Sequence, residues 1–125
     1  MKQIVHTEKA PGAIGPYSQA NCGNGMVFVS GQLGLDPASG ELAEGVEKQA
    51  VQALENLKAI LTEAGSSLER MVKTVVYLQS MEDFAAVNQV YATYFTQNYP
   101  ARSCFAVAGL PKGGLVEIEA IALQD

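Results

Sequence analysis

Between residues 46 and 64 the apolar positions Ala50, Leu54, Leu57, Ile60, Leu61 and Ala64 recur every three or four residues, which places them on one stripe of a helix. Gly65 supplies the stop. Residues 71–78 (MVKTVVYL) are rich in β-branched side chains and read as a strand. Ser80 followed by Asp83 resembles a capping box with Asp in place of Glu, and predicts a second helix over about 82–97. Its buried stripe would be Phe84, Val87, Tyr91, Tyr94 and Phe95, with Pro100 beyond its end. Upstream, residues 17–22 and 26–30 flank Gly23-Asn24-Gly25, a strong hairpin signal because Asn and Gly tolerate positive φ. Residues 2–6 suit a short edge strand, and Asp36 to Gly40 (DPASG) a turn. Strands over about 102–109 and 115–123, joined by GLPKGG, close the chain.

The predicted order is therefore βββαβαββ, an α/β (α+β) arrangement in a single domain spanning 1–125. Each helix joins two strands, and right-handed crossovers put both helices on one face of one mixed sheet. Nothing is left to cover the other face. Yet strands 72–78 and 102–109 are apolar or small on both sides, as doubly buried strands are. An exposed apolar face of that size is a liability, so the pattern predicts self-association.

Composition narrows the function classes. At 48% apolar and 17% charged, the 125-residue chain should fold rather than stay disordered. Its longest apolar runs fall far short of a membrane span of ~20 residues, and its N-terminus lacks the apolar core of a secretory signal. Cys22 and Cys104 form neither a disulfide framework nor a CxxC motif, so a cytoplasmic protein with free thiols is expected. The net charge is −5 and no two basic residues are adjacent, which argues against a nucleic-acid partner. One histidine and two distant cysteines argue against a zinc site, and no cofactor is expected.

The positions that stand out are charges inside apolar strands. In LVEIEAIAL, period-2 alternation puts Leu115, Glu117, Glu119, Ile121 and Leu123 on one face and Val116, Ile118, Ala120 and Ala122 on the other. In the preceding strand Arg102, Cys104, Ala106 and Ala108 share a face. A buried arginine needs an anionic partner for its five N–H donors. One glutamate could be that partner, the other reaching solvent at an edge; alternatively, the anion belongs to a ligand.

Five short stretches add up to more. They are GPYSQ at 15–19, VSGQ at 29–32, FAAVN at 84–88, PARSC at 100–104 and VEIEAIA at 116–122. Together they resemble the YjgF/RidA family, the reactive-intermediate imine deaminases, also called the L-PSP or translation-inhibitor family. The resemblance covers essentially the whole chain, and P-A-R-S followed by E-I-E-A is its most specific element. It implies a chorismate-mutase-like fold, a six-stranded mixed sheet with two helices on one face. It also implies a homotrimer with sheets inward and ligand sites in the clefts between subunits. By this resemblance Arg102 receives the carboxylate of a small 2-imino or 2-enamino acid, and Glu117 positions the water that hydrolyses the C=N bond. A planar guanidinium suits that role, because two parallel hydrogen bonds fix a carboxylate's orientation. Tyr17 either covers the ligand or packs at a turn; Ser30 either offers its hydroxyl or is satisfied at a strand end. Gly31 lets backbone approach closely. Asn88 either faces solvent or reaches the cleft, and Cys104 either presents backbone to the imine or is a small buried thiol. Glu119 reads as structural and His6 as surface or edge.

The activity this implies is that of a 2-iminobutanoate/2-iminopropanoate deaminase, hydrolysing intermediates such as 2-aminoacrylate to 2-oxo acids and ammonia. A non-catalytic module binding small carboxylates or 2-oxo acids is the first alternative. An endoribonuclease or translation inhibitor, a label many family members carry, is the second, and the acidic balance counts against it.

Overall fold

Asn24 and Gly25 both take positive φ, 52° and 76°, and close a two-residue hairpin between β2 (Ala20–Gly23) and β3 (Met26–Leu33). The computed structural model describes residues 1–124. The other strands are β1 (Gln3–Val5), β4 (Met71–Leu78), β5 (Ala101–Ala106) and β6 (Val116–Leu123); the helices are α1 (Val46–Glu63) and α2 (Phe84–Ala92). They form a six-stranded mixed sheet in the order β1-β2-β3-β6-β4-β5, with β4 and β5 parallel and the other neighbours antiparallel. The expected βββαβαββ order and fold class hold.

Both helices cover one face. Leu54, Leu57, Ile60 and Leu61 of α1 are fully buried, against Val116, Ile118 and Ala122 of β6 and Val27 of β3 in the core. Each such side chain contributes about 1.5–3 kcal/mol of transfer free energy. Asn56, also buried, donates to the Leu33 and Leu35 carbonyls at 3.1 and 2.9 Å, so α1 satisfies the backbone where β3 ends. The opposite face keeps Phe28, Phe105 and Leu123 between 42% and 46% exposed, so the predicted uncovered face is present.

Boundaries shift where local chemistry overrides periodicity. Residues 17–19, expected in a strand, form a loop: the Tyr17 amide donates back to the Gly15 carbonyl at 2.8 Å, across Pro16. α2 is shorter than 82–97. Its entry is a 3₁₀ turn, Met81–Asp83, where the Ser80 hydroxyl accepts from the Glu82 amide. At its exit, Thr93 and Tyr94 bond three residues back, and Asn98 takes a φ of 58°, which turns the chain toward β5. β5 stops at Ala106 rather than 109, ahead of Gly109 and Pro111.

Candidate active site

Glu117 owes its position to an irregularity in β3. Val29 pairs with Ala120 and Gln32 with Ile118, so Ser30 and Gly31 together face the single residue Glu119. This is a β-bulge, which bends a strand and re-aims its side chains. Gly31 is required there. A Cβ at this position would lie 2.7 Å from Glu117 Cδ, 2.9 Å from Oε1 and 3.0 Å from Cγ. The glutamate therefore rests directly on bare backbone. Glu117 also pairs with Tyr77 across β4. Burial pushes its carboxyl above the usual carboxylate range, and the neighbouring Glu119 charge adds to this.

The pocket over Glu117 has a volume of about 340 Å³ and is lined by Ile14, Tyr17, Ser30, Gly31, Pro111 and Glu119 besides Glu117 itself. That volume is at the small end of ligand sites. Its wall is the loop before β2, held by a residue to which the sequence reading gave no role. Gln19, buried, accepts from the Thr7 amide at 2.7 Å and donates to the Thr7 and Pro11 carbonyls at 3.0 and 2.8 Å. Tyr17, half exposed, accepts from the Ile14 amide at 3.3 Å, and the Ser30 hydroxyl donates to the Ser18 carbonyl at 2.7 Å. Tyr17, Ser30, Gly31 and Glu117 thus come together.

Arg102 belongs to a second cluster. On β5 it pairs with Thr74 of β4, and Cys104 pairs with Val76; both β4 residues are fully buried on the helix-covered face. Arg102 donates to Asn88 Oδ1 at 2.7 Å. Its guanidinium carbon lies 5.0 Å from the centre of the Tyr91 ring and 5.7 Å from that of Phe84. Tyr91 is fixed in turn by a 2.8 Å hydrogen bond between its hydroxyl and that of buried Thr74. Three side chains of α2 thus hold the guanidinium, and none is anionic. Among the described residues, no carboxylate pairs with Arg102. Burial raises the Cys104 thiol above its ordinary value despite the Arg102 charge, which opposes a nucleophilic thiolate.

The two clusters lie on opposite faces of the sheet. Glu117 and Glu119 share the open face with Tyr77 and Val75, while Arg102 and Cys104 share the helix-covered face with Thr74 and Val76. The reading in which a glutamate of the same chain pairs with Arg102 is therefore excluded. Within one chain, burial and Glu119 both raise the Glu117 carboxyl, and Arg102 is not among the groups that shift it. Sequence reasoning gave no role to the Tyr91–Thr74 brace or to Tyr77, whose hydroxyl donates to Glu119. The heptapeptide 71–77 gave no signal for either, because Thr and Tyr are ordinary strand residues. Among the described residues, no cluster of ligating side chains suits a metal ion, and no helix is long and apolar enough to cross a membrane.

The chain is 49% identical to human 2-iminobutanoate/2-iminopropanoate deaminase, covering 99% of this chain and 91% of that one. A candidate endoribonuclease of Thermotoga maritima has the same fold, with a TM-score of 0.96 and 52% identity over 100% of this chain and 99% of that one. The structure of E. coli TdcF with bound serine superposes with a TM-score of 0.95 at 45% identity, covering 98% and 99% of the two chains. The family model described as Endoribonuclease L-PSP matches residues 7–124, so the chain belongs to that family, the YjgF/RidA family.

Proposed function

We propose that this protein hydrolyses small 2-imino acids, formed from enamines such as 2-aminoacrylate, to 2-oxo acids and ammonia. The observation that carries the reading is the state of Arg102: a braced, half-buried guanidinium with no carboxylate of the described residues against it. Such a group suits a ligand's carboxylate, held by two parallel hydrogen bonds. The names of its relatives support the reading, since a 49% identical protein is a deaminase of 2-imino acids. TdcF, at 45% identity, binds serine, a small amino acid with an α-carboxylate.

The chemistry then needs Glu117. Water adds to the imine carbon, and Glu117 takes its proton. Glu117 passes that proton to the nitrogen to give the carbinolamine, which collapses to the C=O group as its hydroxyl proton moves by way of Glu117 to the nitrogen, and ammonia leaves. A carboxyl raised by burial suits both transfers, because it accepts a proton readily and returns it readily. No cofactor enters this scheme.

Arg102 and Glu117 meet one substrate only if they come from different chains. We place the site between subunits of a homotrimer whose open sheet faces are turned inward. Phe28, Phe105 and Leu123, exposed on that face, support such a covering. The test is a coupled assay: a PLP-dependent threonine or serine dehydratase generates the enamine, and release of the 2-oxo acid is followed. The expected result is faster release with the wild type and none of that gain with Arg102→Ala. An inert wild type that still binds small carboxylates would replace the enzyme with a binding module.

A further inference from the structure

The Glu117 pocket holds a second carboxylate that the scheme above does not use. Glu119 lines it, two residues along the same strand and on the same face. Tyr77 lies directly across from Glu117 in the β4–β6 register, yet its hydroxyl donates to Glu119. Diagonal cross-strand neighbours lie within reach of an aromatic side chain, so the choice of partner is geometric. The Tyr77 ring is itself fixed edge-on by Phe105, with centroids 5.4 Å apart and planes at 86°. Among the described residues no donor reaches the Glu117 carboxylate, which leaves it open to water.

We propose that Glu119 and Tyr77 are positioning residues for Glu117. Tyr77 pins the Glu119 charge beside Glu117, so that Glu117 takes a proton more readily from the attacking water. Three observations agree. The bulge at Ser30–Gly31 faces Glu119 and draws both carboxylates against the same stretch of β3. The Tyr77 phenol is pushed up to about 12, first by its bond to Glu119, so it remains a donor across the working pH range. Glu119 is also the charge that lifts Glu117 beyond what burial does. Among the described residues of the same chain, the other titratable groups around Glu117 are Tyr77 on β4 and Tyr17 in the loop before β2. β3 contributes Ser30, Gly31, Gln32 and Leu33, none of which titrates, and Lys112, beside Pro111, is exposed. In the proposed trimer Arg102 of a neighbouring protomer faces the same site.

The catalytic consequence rests on the deaminase reading, but the electrostatic one does not, and one experiment separates them. The Glu117 carboxyl is titrated by ¹³C NMR in the full-length assembled protein, its signal assigned by its loss in Glu117→Gln. Removing the like charge must make ionisation easier, so Glu119→Gln moves the midpoint to lower pH. Tyr77→Phe moves it the same way by less, because Glu119 survives but is free to turn away. Tyr77→Phe adds nothing once Glu119 is Gln. In the coupled assay the acid limb of kcat/KM follows in the same order. An unchanged or raised midpoint in folded Glu119→Gln overturns the proposal; should that variant not fold, an unchanged midpoint in Tyr77→Phe does so. A wild type without deaminase activity would refute the proposed reaction while leaving the NMR result to decide this pair.

Discussion

Adding one methyl group at Gly31 should remove most of the activity while leaving the fold intact. The Cβ of Gly31→Ala would lie 2.7 Å from Glu117 Cδ, with Oε1 and Cγ at 2.9 and 3.0 Å. That is about 0.8 Å short of the ~3.5 Å at which carbon atoms make favourable contact. Gly31 is not among the glycines with positive φ, so alanine fits the backbone and the strain falls on Glu117. Glu117 is partly exposed and can relieve the clash by rotating, at about 0.5–1.5 kcal/mol if it leaves a staggered rotamer. Stability should thus fall by no more than about that amount. Activity should fall further, because a displacement near 1 Å of a catalytic group costs on the order of 10²-fold. The assay is the coupled dehydratase reaction, run beside urea unfolding. A Gly31→Ala variant with wild-type kcat would refute the placement of Glu117 as the proton-transferring group. One that loses activity only because it unfolds would refute the local character of the clash.

Four further outcomes follow from the same geometry. Arg102→Lys should raise KM about 10–100-fold, since a point charge fixes the position of a carboxylate but not its plane, and steady-state kinetics reads this directly. Asn88→Ala should weaken substrate about 10-fold by freeing the guanidinium it orients at 2.7 Å, while circular dichroism and unfolding stay close to wild type. Thr74→Val should leave the buried Tyr91 hydroxyl unpaired and cost about 1–3 kcal/mol in urea unfolding. Glu117→Gln should be inactive yet more stable at neutral pH. The folded carboxyl ionises less readily than its unfolded counterpart, so wild-type stability falls as pH rises through and above the ordinary carboxylate value. The gain should vanish in acid, where both carboxyls are protonated, and unfolding measured against pH shows whether it does.

What the sequence revealed and what it hid divide along a physical boundary. Period-2 alternation in 115–123 placed Glu117 and Glu119 on one face, and the register bears this out, because one buried face fixes side-chain direction. The Asn24-Gly25 hairpin and the α1 stripe were legible for the same local reasons. Alternation could not say that the faces of Arg102 and Glu117 differ, because it gives no phase between two strands. That phase is set by β4, which pairs with β5 on one side and β6 on the other. The bulge at Ser30–Gly31 and the Gln19 network were hidden too, since each depends on contacts between distant segments. The end of α2 was misjudged because Tyr94 and Phe95 continue the apolar spacing after the helical bonding has changed.

A site built from the Arg102 face of one protomer and the Glu117 face of another can be reassembled by complementation. Arg102→Ala and Glu117→Gln, each inactive alone, are unfolded together at equal concentration, refolded, and shown by mass spectrometry to form mixed oligomers. In a cyclic assembly each site then has a chance of about one in four of receiving both intact halves. About a quarter of wild-type activity should be recovered. Mixed oligomers with no activity would contradict the shared site, and would return both residues to separate roles within one chain.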